Sequence, residues 1–103
     1  MTDSLVGLEK KGTTAILTLN NPPFNAASTR LMNTLHERLD AIEKDKEILC
    51  VILTGAGEKA FCAGADLKER QSMTEDDVRA LLGTYRDSFG AVDACPKPVI
   101  AAI

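Results

Sequence analysis

Ala60-Phe61-Cys62-Ala63-Gly64-Ala65-Asp66-Leu67-Lys68 gathers four very small residues where a strand has ended and a helix is about to begin. Ala63, Gly64 and Ala65 leave main-chain N–H groups sterically open, and Asp66 followed by Glu69 has the spacing of a capped helix start. Such a corner can hold a developing oxyanion. It can equally be a tight strand-to-helix turn whose small residues serve packing alone, and the residue types leave both readings open.

Upstream, residues 48–53 form a continuous apolar run, the signature of a strand buried on both faces. It follows a helical pattern that starts at Ser28, a candidate N-cap, with Leu31, Leu35, Leu39 and Ile42 on one stripe and Glu37, Arg38, Asp40, Glu43 and Lys44 mainly opposite. Before that helix, residues 5–10 and 13–20 read as two strands of an opening hairpin around Lys11-Gly12. Asn20-Asn21-Pro22-Pro23 stops the pairing, because proline removes a donor and biases the chain toward turn geometry. The loop that follows carries Phe24 and Asn25. Strand, helix and strand in this order predict a βαβ unit and a partly parallel sheet.

Downstream, Thr74 starts a second helix with Asp77 as its capping-box partner. Val78, Leu81, Leu82, Tyr85, Phe89 and Val92 keep helical spacing and read as core packing. Cys95-Pro96-Lys97-Pro98 ends that helix, and Val99-Ile100-Ala101-Ala102-Ile103 starts another strand, expected to be buried. The chain stops on that strand, so residues 1–103 are expected to be the N-terminal part of a larger domain, truncated within a strand.

The composition narrows the classes. The 103 residues are 45% hydrophobic and 26% charged, which argues against a disordered chain. No apolar run approaches the roughly 20 residues that cross a bilayer, and Met1-Thr2-Asp3-Ser4 lacks the basic start of a signal peptide, so a cytoplasmic location without membrane attachment is expected. Cys50, Cys62 and Cys95 contain no CxxC pair and read as reduced, mostly buried thiols. His36, the single histidine, borders the apolar stripe of the first helix and joins no metal-ligand cluster, so no metal is expected. The net charge of -3 argues against a general nucleic-acid binder.

Gly55-Ala56-Gly57-Glu58-Lys59-Ala60 formally satisfies GxGxx[GA] after a strand, but residues 61–65 show no helical apolar spacing, so a plain turn is the better reading. No GK[ST] follows, which removes a Walker A loop.

Asn21-Pro22, Phe24-Asn25-Ala26, Leu53-Thr54-Gly55, Ala60-Phe61-Cys62-Ala63-Gly64-Ala65-Asp66-Leu67 and Lys97-Pro98-Val99-Ile100-Ala101-Ala102-Ile103 occur in an order and spacing that resemble the crotonase (enoyl-CoA hydratase/isomerase) superfamily. Within it, Ala65-Asp66-Leu67-Lys68-Glu69-Arg70 followed by Met73 is most similar to 3-methylglutaconyl-CoA hydratase-like members. The resemblance implies an α/β fold, the N-terminal portion of a crotonase-like ββα spiral. It also implies an acyl-CoA thioester as partner, held with its carbonyl between two peptide N–H groups, and homo-oligomers that are trimers or hexamers.

By the same carry-over, Ala65 supplies the first oxyanion-hole N–H. Asn25, Ala26, Ala63, Gly64, Asp66, Leu67 and Lys68 line the path of the CoA moiety, and Lys59 and Lys68 are partners for its phosphates. Met73, Val78, Leu81 and Leu82 border the acyl pocket or are simply helix core. No cofactor is implied, since coenzyme A is part of the substrate. The second oxyanion donor and the proton-carrying glutamates of hydratases lie beyond the position matching Ile103, so this piece alone is expected to be inactive. An enoyl-CoA isomerase or other crotonase chemistry, and a non-catalytic binding or assembly module, are the competing classes. RNA binding through a lysine-rich first helix, known in the hydratase branch, is not expected here, because Arg30, Arg38, Lys44 and Lys46 are offset by Glu37, Asp40, Glu43, Asp45 and Glu47.

Overall fold

In the computed structural model, which describes residues 5–103, strands Val6–Lys11 (β1) and Thr14–Leu19 (β2) pair antiparallel across a turn in which Gly12 takes φ +60°. Met1-Thr2-Asp3-Ser4, on which the leader-peptide argument rested, lies outside the described residues. Helix Thr29–Lys44 (α1) then crosses to strand Cys50–Gly55 (β3), which pairs parallel with β2. A short helix, Leu67–Gln71 (α2), and a long one, Glu75–Ala94 (α3), lead to strand Val99–Ala102 (β4), parallel to β3. The sheet order is β1-β2-β3-β4, the mixed α/β arrangement expected from a hairpin followed by parallel crossovers.

The caps explain where the helices begin. Ser28 Oγ accepts the Leu31 N–H at the head of α1, and Thr74 with Asp77 closes a full capping box on α3. Asp66 caps α2 by accepting from Lys68 N and Glu69 N. Glu69 does not complete a box there. Its carboxylate turns away to Thr29 instead.

The core lies between one face of the sheet and α1. Ala15, Leu17 and Leu19 alternate inward along β2 and meet Val6, Val51, Leu31, Met32, Leu35, Leu39 and Ile42, all essentially buried. At roughly 25 cal/mol per Å² of apolar area removed from water, this cluster is the main stabilising term of the fold. Helix α3 packs on α1 rather than on the sheet.

Four expectations change. Strand β3 starts at Cys50, not at residue 48, because the N–H groups of both Leu49 and Cys50 turn to the Thr13 carbonyl. Ile48 still drops into the core, while Leu49 is 61% exposed. Neither is β3 buried on both faces: only Val51 is fully buried, and the face carrying Ile16, Ile52 and Ile100 in one register row has no helix over it among the described residues. Likewise β4 is not buried, with Ile100 57% exposed at the sheet edge. On α3, the inward stripe is Leu81, Tyr85, Ser88 and Val92; Leu82 and Phe89 point outward, which overturns their reading as core.

Candidate functional site

Two loops, residues 20–28 and 56–66, are laced together beyond the C-terminal ends of β2 and β3. The lacing starts at Asn25, which is buried and holds φ +57°. Its Nδ2 donates to the carbonyls of Ala56 (3.1 Å) and Ala60 (2.8 Å), and its Oδ1 accepts from Asn21 N (3.0 Å). Asn21 Nδ2 in turn donates to the Ala26 carbonyl at 2.8 Å. A left-handed backbone is tolerable for Asn, and a buried amide is stable only when its donors are satisfied, as here. Asn25 therefore builds the corner with its side chain spent on protein carbonyls.

Main-chain bonds finish the lacing. Ala63 N donates to Phe24 O at 3.0 Å, Ala27 N donates to Gly64 O at 2.7 Å, and Ala27 and Ala65 form a parallel bridge. From α3, Tyr85 Oη donates to the Ala27 carbonyl at 2.6 Å. Burial pushes the Tyr85 phenol up from its ordinary value, and the Glu69 charge adds to this. The bridge uses the Gly64 carbonyl and leaves the Ala65 N–H without a protein acceptor among the described residues. Gly64 has φ +93°, a conformation that L side chains rarely adopt.

Gly55 is required for a different reason. An added Cβ would collide with Phe61 O and stand 2.8 Å from Phe61 Cα, because the returning chain crosses directly over it. Residues 56–60 are a turn with Gly57 at φ +77° and no helix opens before Leu67, in agreement with the plain-turn reading.

The expected site residues divide into two groups. Asn25, Ala26, Ala63, Gly64, Ala65 and Asp66 are brought together by the bonds just described. Leu67, at 71% exposure, and Lys68 project from α2. Lys59 is apart from the corner, its Nζ 5.7 Å from the centre of the Phe24 ring, a cation–π contact on the outer side of the 56–60 loop. Cavities of about 350 Å³ and 410 Å³ flank that loop, and Lys59 lines both. A third, of about 290 Å³, lies between α1, α2 and α3 and is lined by Thr29, Glu69, Met73 and Leu81, among others. Ala65 lines none of the three. Of the four residues considered for an acyl pocket, Met73 and Leu81 face this third cavity and Val78 and Leu82 do not.

Sequence reasoning missed Tyr85 as a clamp, Ser88 as a buried donor to Met32 O (3.0 Å), and the Glu69–Thr29 contact. The 4-3-4 spacing of Leu81, Tyr85, Ser88 and Val92 was the available signal for the first two. All three cysteines are half-buried and free, and no group of His, Cys, Asp or Glu able to hold a metal occurs among the described residues. No helix of the described residues is long and apolar enough to cross a membrane.

Comparison with known proteins fits this geometry. The Bacillus subtilis protein YngF, named as an enoyl-CoA hydratase/isomerase, is 46% identical over 104 residues, covering 100% of this chain and 40% of YngF. The mitochondrial 3-hydroxyisobutyryl-CoA hydrolase of Bos taurus is 35% identical over 100 residues, covering 93% of this chain and 26% of the hydrolase. The crystal structure of an enoyl-CoA hydratase from Bacillus anthracis superposes with a TM-score of 0.91 at 39% identity, over 95% of this chain and 39% of that one. The chain thus spans about two fifths or less of the length of these relatives. The sequence pattern of the enoyl-CoA hydratase/isomerase family matches residues 9–103, and the chain belongs to that family, the crotonase superfamily, of whose fold it forms the N-terminal part.

Proposed function

We propose that this chain supplies the acyl-CoA site and the first oxyanion donor of an enoyl-CoA hydratase-type lyase. The observation that carries the proposal is the Ala65 N–H, left without a protein acceptor at a corner held from three sides. An acyl thioester whose carbonyl oxygen met this N–H would be stabilised as negative charge moves onto the oxygen. The donor is preorganised, so no reorganisation is needed when the charge develops, and one such donor is worth about 3 to 4 kcal/mol of barrier.

Asn25 and Ala26 shape the floor of the site. Ala63, Gly64 and Ala65 allow close backbone approach, Asp66 and Leu67 turn the chain, and Lys59 and Lys68 meet the CoA phosphates as point charges. The carboxylates nearest the donor are committed elsewhere: Asp66 to capping α2, Glu69 to Thr29. Asp66 uses one oxygen, Oδ1, for the cap and Glu69 turns both of its oxygens to Thr29, and in this reading the general acid and base are other carboxylates, as in the hydratases of the family. The same reading has the protein working in the cytoplasm as a homo-oligomer, a trimer or hexamer. It needs no cofactor beyond the CoA of its substrate and has no nucleic-acid or membrane partner.

The hydrolase relative supports a second reading, in which this CoA site serves an isomerase or another crotonase reaction, because a protein of different name shares 35% of these residues. The product separates the two. With crotonyl-CoA, the intact protein is expected to form the 3-hydroxyacyl thioester, and Ala65→Pro, which deletes the N–H, to lower kcat by about 100- to 1000-fold. Isomerised product from a 3-enoyl-CoA without hydration would favour the second reading. A melting temperature unmoved by acetyl-CoA would instead leave a non-catalytic module, since any ligand of the folded state must raise it.

A further inference from the structure

The five residues of α2 are too few to hold a helix by themselves, and none of them is buried. Leu67 is 71% exposed, Lys68, Arg70 and Gln71 are exposed, and the Asp66 cap is a bond within the element. One side chain ties α2 to the rest of the molecule by hydrogen bonds among the described residues. Glu69 Oε1 accepts from Thr29 N (3.0 Å) and Thr29 Oγ1 (2.6 Å), and Oε2 lies 3.2 Å from the same N–H. Thr29 is the first residue of α1, so a half-buried carboxylate takes an N–H that no helical carbonyl takes and faces the positive end of a 16-residue helix.

The contact closes a ring. From Ala65 the chain runs through Asp66 into α2 and reaches Glu69; Glu69 grips Thr29; two residues back, Ala27 N donates to Gly64 O, the residue before Ala65. Tyr85 holds the ring from α3 through the Ala27 carbonyl. The Ala65 N–H has no protein acceptor among the described residues, but it shares a planar peptide unit with the Gly64 carbonyl that Ala27 N holds, so its direction follows from how this ring is closed.

We propose that Glu69 is a positioning residue, which by gripping Thr29 holds, together with the Ala27–Gly64 bond, the direction in which the Ala65 N–H points. The inference rests on the oxyanion role given to Ala65 above. Glu69 touches no reacting atom in this scheme. Without it, α2 keeps only its covalent ends and the cap at Asp66, the Ala27–Gly64 bond alone holds the donor's peptide unit, and the aim loosens; misplacement of a catalytic group by about 1 Å costs on the order of a hundredfold in rate.

The test uses the intact protein with crotonyl-CoA and reads two signals: the infrared stretching frequency of the bound thioester carbonyl, and kcat against KM. In the wild type the stretch falls on binding, because an aimed donor polarises the C=O bond. Glu69→Ala and Glu69→Asp, the second too short to reach Thr29 but still charged, are expected to return the stretch toward its free value. They are also expected to lower kcat about 10- to 100-fold with KM within about threefold. Glu69→Gln keeps an oxygen at the Oε1 position and is expected to restore both signals to near wild type. A wild-type stretch in folded Glu69→Ala or, should that variant not fold, in Glu69→Asp would overturn the proposal and leave the Ala65 reading standing. No shift in the wild type itself would overturn both.

Discussion

At the scale of single residues, the site depends on backbone conformations that particular side chains permit. Asn25 and Gly64 both hold positive φ, but for different ends: Asn25 at +57° aims a buried amide at two carbonyls, whereas Gly64 at +93° turns its own carbonyl toward Ala27. Gly64 has open space where a Cβ would go, so Gly64→Ala causes no clash. Its cost is conformational, about 1 to 3 kcal/mol for forcing an alanine into this region. Relief of that strain moves the Gly64 carbonyl and the Ala65 N–H beside it. Gly64→Ala is therefore expected to lower stability by that amount in urea denaturation and to weaken turnover as well. Unchanged stability with unchanged turnover would show that the corner does not need this φ. The corner was visible in the sequence because small residues announce exposed backbone. The direction of one N–H was not, since it is set by partners about forty residues away, at Ala27 and Thr29.

At the scale of elements, each helix is held at its ends by groups that differ in how local they are. Ser28, Asp66 and the Thr74–Asp77 box act within three residues and were legible from spacing. The far end of α1 is closed differently. Lys97 Nζ, partly buried, donates to the carbonyls of Ile42 and Asp45 as a second donor, since Asp45 N already reaches the first and Ile48 N the second. A cation there also meets the negative end of the helix dipole. Lys97→Met, which keeps the alkyl stem, is expected to destabilise the fold by about 1.5 to 3 kcal/mol, the range for a bond involving a charged group. Hydrogen exchange should show faster opening of the last turn of α1 and little change in β1. A loss below about 0.5 kcal/mol would mean that water replaces the ammonium without penalty. No local pattern could have announced this contact, because the partners lie more than fifty residues apart. The outward turn of Leu82 and Phe89 was hidden for a related reason. The six apolar positions of that stripe fit two overlapping faces of α3, and Tyr85 bonding to Ala27 O with Ser88 bonding to Met32 O selects one.

At the scale of the whole molecule, hydrophobic patterning determined the order of elements, the hairpin and the parallel crossover, all of which follow from period-2 and period-3.6 runs. Patterning could not say how much of each face is covered, and so β3 and β4 were expected to be more enclosed than they are. Charge adds a pH dependence spread over distant parts of the fold. Tyr85 has its pKa raised by burial first and by Glu69 second, so the folded chain keeps the phenol proton where the unfolded chain, near 10.0, has lost it. Its contribution is full below that value and is lost as pH rises through the higher folded one. Lys10, raised by its bonds to Glu47 and Asp45, acts in the same direction above 10.5. Asp45 is lowered, first by the Glu47 backbone N–H and then by Lys10, so its contribution is present above 3.8 and fades as pH falls below. Tyr85→Phe separates these terms. At neutral pH it should cost about 1 kcal/mol for the lost bond to Ala27 O, while the decline that begins near pH 10 becomes shallower and starts later, with Lys10 still contributing to it. The acid limb, to which Asp45 contributes, should not move. Urea midpoints measured from pH 3 to pH 11 for both proteins decide the matter, because parallel alkaline limbs would mean that the phenol ionises equally in folded and unfolded chains and that the clamp on Ala27 is open to water.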